Sequence, residues 1–281
     1  LQAYLSSVIS GRWSARPGES NRRAGVNSER QETMTTAMEK QPQPRAAVDP
    51  ATAEARQVVG FSFYRVNPEW RRLPRAVKSK QGGELLSVIT AFSKKLVMVR
   101  PYSLVGLKAD LDFLIWRVGD RLEQFQEMSA AVRQTQMAGY LTMPYTYTSM
   151  TKRSTYVDKL DPDHQDRRRF ITVAGSKYLF VYPFVKTREW YQLPLEQRQT
   201  LMDEHIRIGT KYPSVKLHTT YSFGLDDQEF VVAFETDHPR DFLDLVQELR
   251  EAKSSVYTLR DTPIFTCIAK PFTEVLHDIG G

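Results

Sequence analysis

The sequence predicts an α+β protein made of tandem ferredoxin-like βαββαβ repeats whose sheets join into a dimeric α+β barrel. Three observations predict it. Asn67-Pro68-Glu69-Trp70-Arg71-Arg72-Leu73-Pro74 recurs as Thr187-Arg188-Glu189-Trp190-Tyr191-Gln192-Leu193-Pro194. The segment from Gly106 to Phe113 is echoed by Gly224-Leu225-Asp226-Asp227-Gln228-Glu229-Phe230, again roughly 120 residues on, which marks an internal duplication. Within each copy, hydrophobic periods of two and of 3.6 alternate in the order strand, helix, strand, strand, helix, strand. Two antiparallel sheets of this topology can merge edge to edge with their helices outside.

In the first copy the patterns place a strand at 58–66, a helix at 84–94, a hairpin of strands at 96–105 and 109–118, a helix at 121–137 and a last strand after Gly139. The second copy repeats the order, with a strand at 177–186, a helix at 195–211, a hairpin at 215–235, a helix at 240–253 and a final strand at 263–270. The predicted organisation is a disordered leader (1–55), an N-terminal repeat (56–150), a linker loop (151–176) and a C-terminal repeat (177–281). The leader is rich in Ser, Arg, Gln, Pro and Ala, with little periodicity. Met34 and Met38 lie shortly before the folded pattern, so the leader includes residues upstream of a plausible start. Its Arg and Ser content resembles a transit peptide, against which stand Glu19, Glu29, Glu32 and Glu39. The apolar stretch from Tyr4 to Ile9 is too short for a secretory signal.

With 281 residues, 41% hydrophobic and 11% aromatic, the chain is ample for a core. No run approaches the roughly 18 apolar residues of a spanning helix. The single Cys267 excludes an intrachain disulfide and any cysteine-built metal cluster, as expected of a cytoplasmic protein. Of the net charge of +6, half falls in the first 45 residues, and elsewhere bases alternate with acids. There is no basic stripe, so nucleic acid is not an expected partner.

The copies differ where chemistry would be placed. The second carries His205 in its first helix, where the first has no histidine. Leu201 and Met202 before it and Ile208 after it put the imidazole on an apolar face. Alone, such a histidine would be a core residue bonded to a carbonyl. Tyr182 and Lys186 lie four apart on a strand and so share a face with Tyr178, Phe180 and Phe184, an aromatic surface with a cation at its end. Such a surface suits a flat ligand with anionic arms, or an ordinary strand with a lysine at its rim. His218, thirteen residues past His205, falls on the next strand and alternates with Lys216 and Thr220.

The run Tyr182-Pro183-Phe184-Val185-Lys186, with Glu189-Trp190-Tyr191, Leu201-Met202-Asp203-Glu204-His205 and Gly224-Leu225-Asp226-Asp227, resembles the chlorite dismutase superfamily, and within it the coproheme decarboxylases. The resemblance covers most of 58–272. It implies that His205 is the proximal ligand of a haem iron, a role to which imidazole is suited. Chlorite dismutases carry an arginine thirteen residues after that histidine and many decarboxylases a glutamine, whereas this chain has His218. Tyr182 matches the reactive tyrosine of the decarboxylases, and Lys186 the lysine that both groups share. The glutamate with which chlorite dismutases hold the proximal histidine corresponds to Ser254, or to Glu251 if the helix phase differs.

The implied activity is oxidative decarboxylation of two propionates of iron-coproporphyrin III (coproheme) to give haem b, with hydrogen peroxide as oxidant. Tyr182 would be oxidised to a radical that abstracts hydrogen from a propionate, and His218 or His164 would serve as acid and base. Propionate contacts are expected from Lys186, one of Arg167, Arg168 and Arg169, Ser255 and, more loosely, Tyr147 with Tyr145. His238 and His277 read as structural or solvated. The family also implies a homopentamer and transient contact with the coproporphyrin ferrochelatase. The other functions in view are chlorite dismutation and a non-enzymatic haem carrier or sensor, which would have no use for Tyr182.

Overall fold

The computed structural model describes residues 55–159 and 170–281. Arg167, Arg168, Arg169 and His164 lie outside the described residues, as does the leader up to residue 54.

Two βαββαβ units form one sheet. The first comprises β1 (Val58–Val66), α1 (Pro68–Arg71), α2 (Arg75–Phe92), β2 (Met98–Ser103), β3 (Phe113–Gly119), α3 (Leu122–Arg133) and β4 (Leu141–Met150). The second comprises β5 (Tyr178–Lys186), α4 (Arg188–Gln192), α5 (Leu195–Gly209), β6 (Lys216–Tyr221), β7 (Phe230–Thr236), α6 (Pro239–Glu251), β8 (Thr258–Arg260) and β9 (Phe265–Ala269). A last helix, α7 (Phe272–Asp278), follows. The strand order β7-β6-β4-β1-β3-β2-β9-β5-β8, with β7 also paired to β5, closes the sheet on itself. The units join at two seams, Met150↔Tyr221 between β4 and β6, and Tyr102↔Ala269 between β2 and β9. This is the dimeric α+β barrel expected from the sequence.

The duplication persists in detail. Gly106 and Gly224 open equivalent turns with φ of +79° and +72°, a conformation that disfavours any side chain. Asp112 accepts the amide of Val66 (2.6 Å) and Glu229 that of Lys186 (2.8 Å), so in each unit a hairpin acid ties down the end of the first strand.

Alternation along the strands sorts side chains into three cores. Residues such as Phe61, Phe63, Trp116, Val181, Ala233 and Phe265 fill the barrel. Tyr64, Phe113, Leu85, Phe125 and Val275 pack between the first unit and its helices. Phe180, Tyr182, Ile208, Phe234 and Phe242 do so in the second.

Two elements differ from the sequence reading. α2 begins at Arg75 rather than near residue 84, because Gly82 and Gly83 mask its periodicity; Gly82 leaves room for Leu276 of α7, which a Cβ would meet at 3.4 Å. The last strand is interrupted, β8 pairing with the end of β5 and β9 with its start. The expected linker loop holds no helix or strand among its described residues, and past 170 it lies on the barrel: Ile171 and Val173 pack on its core, and the Ala174 amide donates to Glu235 (2.8 Å). No helix among the described residues is long and apolar enough to cross a membrane.

Candidate functional site

Leu179 and Val181 of β5 enter the barrel, so the residues between them face outward toward α5 and α6. Register carries this outer face across the sheet: Tyr182 lies opposite Val232 and Phe184 opposite Phe230 on β7, which lie opposite Thr219 and Tyr221 on β6. α5 follows its N-cap Pro194, whose fixed φ suits a helix entry, and it lays Ile208 into the cluster that contains Tyr182. His205, one turn before Ile208, is half-buried on that inner face. Tyr182 and His205 thus belong to the two walls of one layer.

That layer is incompletely filled. Phe184, Leu217, Thr219, Tyr221, Phe230 and Val232 are only half-buried, although a helix lies over their sheet face. α5 buries Ile208 alone, whereas α2 of the first unit buries five residues. The result is a slot only in the sense of an apolar sheet face that α5 covers in part. Among the described residues no group of three or more His, Cys, Asp and Glu could hold a bare metal ion. Iron delivered inside a planar macrocycle needs only one axial donor from the protein, and the slot with a single inward imidazole fits that demand.

Tyr182 is 8% exposed and stacks on Phe234, with ring centroids 5.8 Å apart and planes at 19°. Burial pushes its phenol pKa upward; Asp261 reinforces the shift and Arg250 opposes it. The resting side chain is therefore a neutral phenol, which can give up a hydrogen atom. Lys186 Nζ donates to the Ser254 carbonyl (3.0 Å) and lies 4.6 Å over the Trp190 ring. Burial lowers its pKa to about 8, against the pull of Glu229. Glu229 also accepts the Tyr191 hydroxyl at 2.5 Å, linking β5, α4 and the β6–β7 hairpin. Ser255 sits in the 3-10 turn Lys253–Tyr257 beside this group, its Oγ donating to the Arg250 carbonyl (2.7 Å). Ser254 is buried in that turn, and Glu251 is exposed at the end of α6.

Two expectations are corrected. His218 lies opposite Ala233 and so points into the barrel, away from Tyr182. It is 6% exposed, bonded through Nε2 to Glu235 (2.8 Å) and set edge-on to Trp116; Glu235 in turn takes Arg100 (3.1 Å). Its alternation with Lys216 and Thr220 is real, but a strand buried on both sides does not reveal which side faces the helices. Tyr147 lies opposite Phe61 and likewise fills the barrel, against Phe63 and Phe265, while Tyr145 donates to Asp110 (3.3 Å). Leu217 and Thr219, which line the slot, were missed. The apolar pair Val215 and Leu217 was the available signal, since it marks the parity covered by α5.

The family model for chlorite dismutase matches residues 78–270. The chain is 34% identical over 176 residues to the coproheme decarboxylase of Mycolicibacterium smegmatis, covering 61% of this chain and 73% of that one. It superposes on a mutant chlorite dismutase of Candidatus Nitrospira defluvii with a TM-score of 0.73 at 26% identity, over 82% of this chain and 98% of the other. It also superposes on a haem-binding protein of Thermus thermophilus, with a TM-score of 0.70 at 26% identity, over 80% and 95%.

Proposed function

Since the chain belongs to the chlorite dismutase family, we propose that it is a peroxide-dependent coproheme decarboxylase, converting two propionates of iron-coproporphyrin III to the vinyl groups of haem b. The observation that carries this reading is the pairing of His205 and a buried, protonated Tyr182 on the walls of one half-filled apolar layer. A carrier would need the first residue and not the second. The relative from Mycolicibacterium smegmatis, by its name, supports the same choice.

When bound, the iron porphyrin would supply the oxidising power drawn from hydrogen peroxide. His205 would hold the iron from the α5 side. Tyr182, already a neutral phenol, would lose a hydrogen atom and recover it from the β-carbon of a propionate. Release of carbon dioxide then leaves a vinyl group, with one peroxide reduced to two waters per propionate. Leu217, Thr219, Phe184 and Val232 would exclude bulk water from the radical. Lys186 and Ser255 would receive carboxylates at the β5 border, with Arg168 as the third contact. Because His218 faces the barrel interior, we assign acid–base work at the peroxide to His164 instead.

The test is titration of the apoprotein with coproheme and then with hydrogen peroxide, followed by absorbance and mass spectrometry. Stepwise loss of two carboxyl groups ending at haem b is expected in the wild type. Tyr182→Phe should bind coproheme and leave its mass unchanged. Haem b formed at the normal rate in that variant would refute the tyrosine's role, and a wild type that binds without turnover would leave a carrier or a chlorite enzyme.

A further inference from the structure

The outer face of the second unit does not stop at its own last strand. Phe184 lies opposite Phe230, Phe230 opposite Tyr221, and Tyr221 opposite Met150 of the first unit, so one row of apolar side chains crosses β5, β7, β6 and β4. The rings touch in sequence: Phe184 and Phe230 centroids are 6.3 Å apart, and Phe230 and Tyr221 5.3 Å. Two residues past Met150 comes Lys152, whose Nζ sits 5.6 Å over the Tyr221 ring. Arg56 enters from the adjacent start of β1. Arg56, Met150, Lys152, Tyr221, Phe223 and Leu225 line a groove of about 210 Å³. Neither cation forms an ion pair among the described residues, and Asp226, the hairpin acid beside the groove, is occupied by the Thr148 amide (2.8 Å).

The arrangement has a polarity that the slot alone lacks. An aromatic floor is bordered by Lys186 on β5 and by Lys152 and Arg56 across the unit seam. Three inter-strand steps at about 4.8 Å put those borders roughly 14 Å apart, the breadth of a macrocycle with carboxylate arms on opposite edges. We infer that Lys152 and Arg56 of the first unit complete the porphyrin site of the second by receiving the carboxylates on the edge that Lys186 cannot reach. These are the carboxylates that the reaction at Tyr182 leaves in place, so substrate and product share this edge. This inference rests on the porphyrin reading above.

The apoprotein and the Lys152→Met, Arg56→Met and double variants would be titrated with coproheme and, separately, with haem b. The double variant should bind both coproheme and haem b at least tenfold more weakly, since each lost cation removes a charge-assisted bond partly discounted by solvent. Lys152→Arg should keep the affinity for both. An unchanged urea unfolding midpoint reports that the variants are folded. Weakening toward coproheme alone, or toward neither porphyrin, would overturn the inference while leaving the porphyrin reading intact. A wild type that binds neither porphyrin would overturn both.

Discussion

The two units share a backbone plan and spend it differently. Counted from the paired Trp70 and Trp190, the position of His205 in α5 is held by Leu85 in α2, which is 1% exposed and central to the first core. Register equates Tyr182 with Ser62, Phe234 with Arg117 and Lys186 with Val66. In the first unit Arg117 fills the layer: it donates to Ser62 Oγ (2.7 Å) and the Phe125 carbonyl (3.2 Å) beneath the Phe125 ring. Phe125 approaches because Gly60 has no side chain, whereas its counterpart Phe242 stacks on Phe180 at 4.0 Å. One helix–sheet layer is closed by leucine, arginine and glycine; the other keeps a slot faced by histidine and tyrosine. A duplicated fold can thus dedicate one copy to stability and the other to a site.

That contrast can be broken most severely at its centre. His205→Ala should abolish axial imidazole ligation in the coproheme-loaded protein, read by electron paramagnetic resonance, with added imidazole restoring it. A retained histidine spectrum would remove His205 from the site. The counterpart Leu85→Ala should leave porphyrin binding alone and cost about 2–5 kcal/mol in urea unfolding, the usual penalty for a cavity in a packed layer. Leu201→Ala, in the open layer, should cost less than half as much, and equal losses would mean that the second layer is as tightly closed as the first. Gly60→Ala should destabilise by about 1–3 kcal/mol, because the new Cβ would lie 2.8 Å from the Phe125 ring.

The smallest effect concerns pH. Burial lowers the Lys186 pKa from 10.5 to about 8, so its ammonium is present below that pH and lost above it. Coproheme affinity should hold steady through neutrality and fall several-fold as pH rises through about 8, with Lys186→Met flattening the profile. The apoprotein should move the other way. Between about pH 8 and 10.5 the unfolded chain binds the proton that the folded one has released, so this group adds stability as pH increases.

The repeat was legible because tight turns and strand ends demand particular residues: the Trp-x-x-Leu-Pro entries to the helices and the Gly-Leu hairpins survive duplication. Periods placed Tyr182 and Lys186 on one face of a strand and His205 on the apolar face of a helix, while their grouping as one site came from the family resemblance. His218 and Tyr147 were misplaced for a reason no period contains. In a closed barrel both faces of a strand are buried, and which one meets the helices depends on partners distant in sequence, Ala233 and Phe61. Lys152 and Arg56 escaped notice because they join the groove only through the β4–β6 seam. α7 was unread, being short and placed after the last repeated element.

That last helix crosses back to the beginning. Phe272, Val275 and Ile279 complete the core of the first unit, Phe272 meeting Phe113 edge-on at 5.8 Å, while Lys78 donates to the Gly280 carbonyl. During synthesis, then, the N-terminal half emerges with its hydrophobic layer missing a piece that the ribosome supplies only after the second half. It must wait, partly exposed, through the translation of the entire second half. A nascent chain arrested near residue 260 should be protease-sensitive in its first repeat and should become resistant only when α7 is released from the exit tunnel.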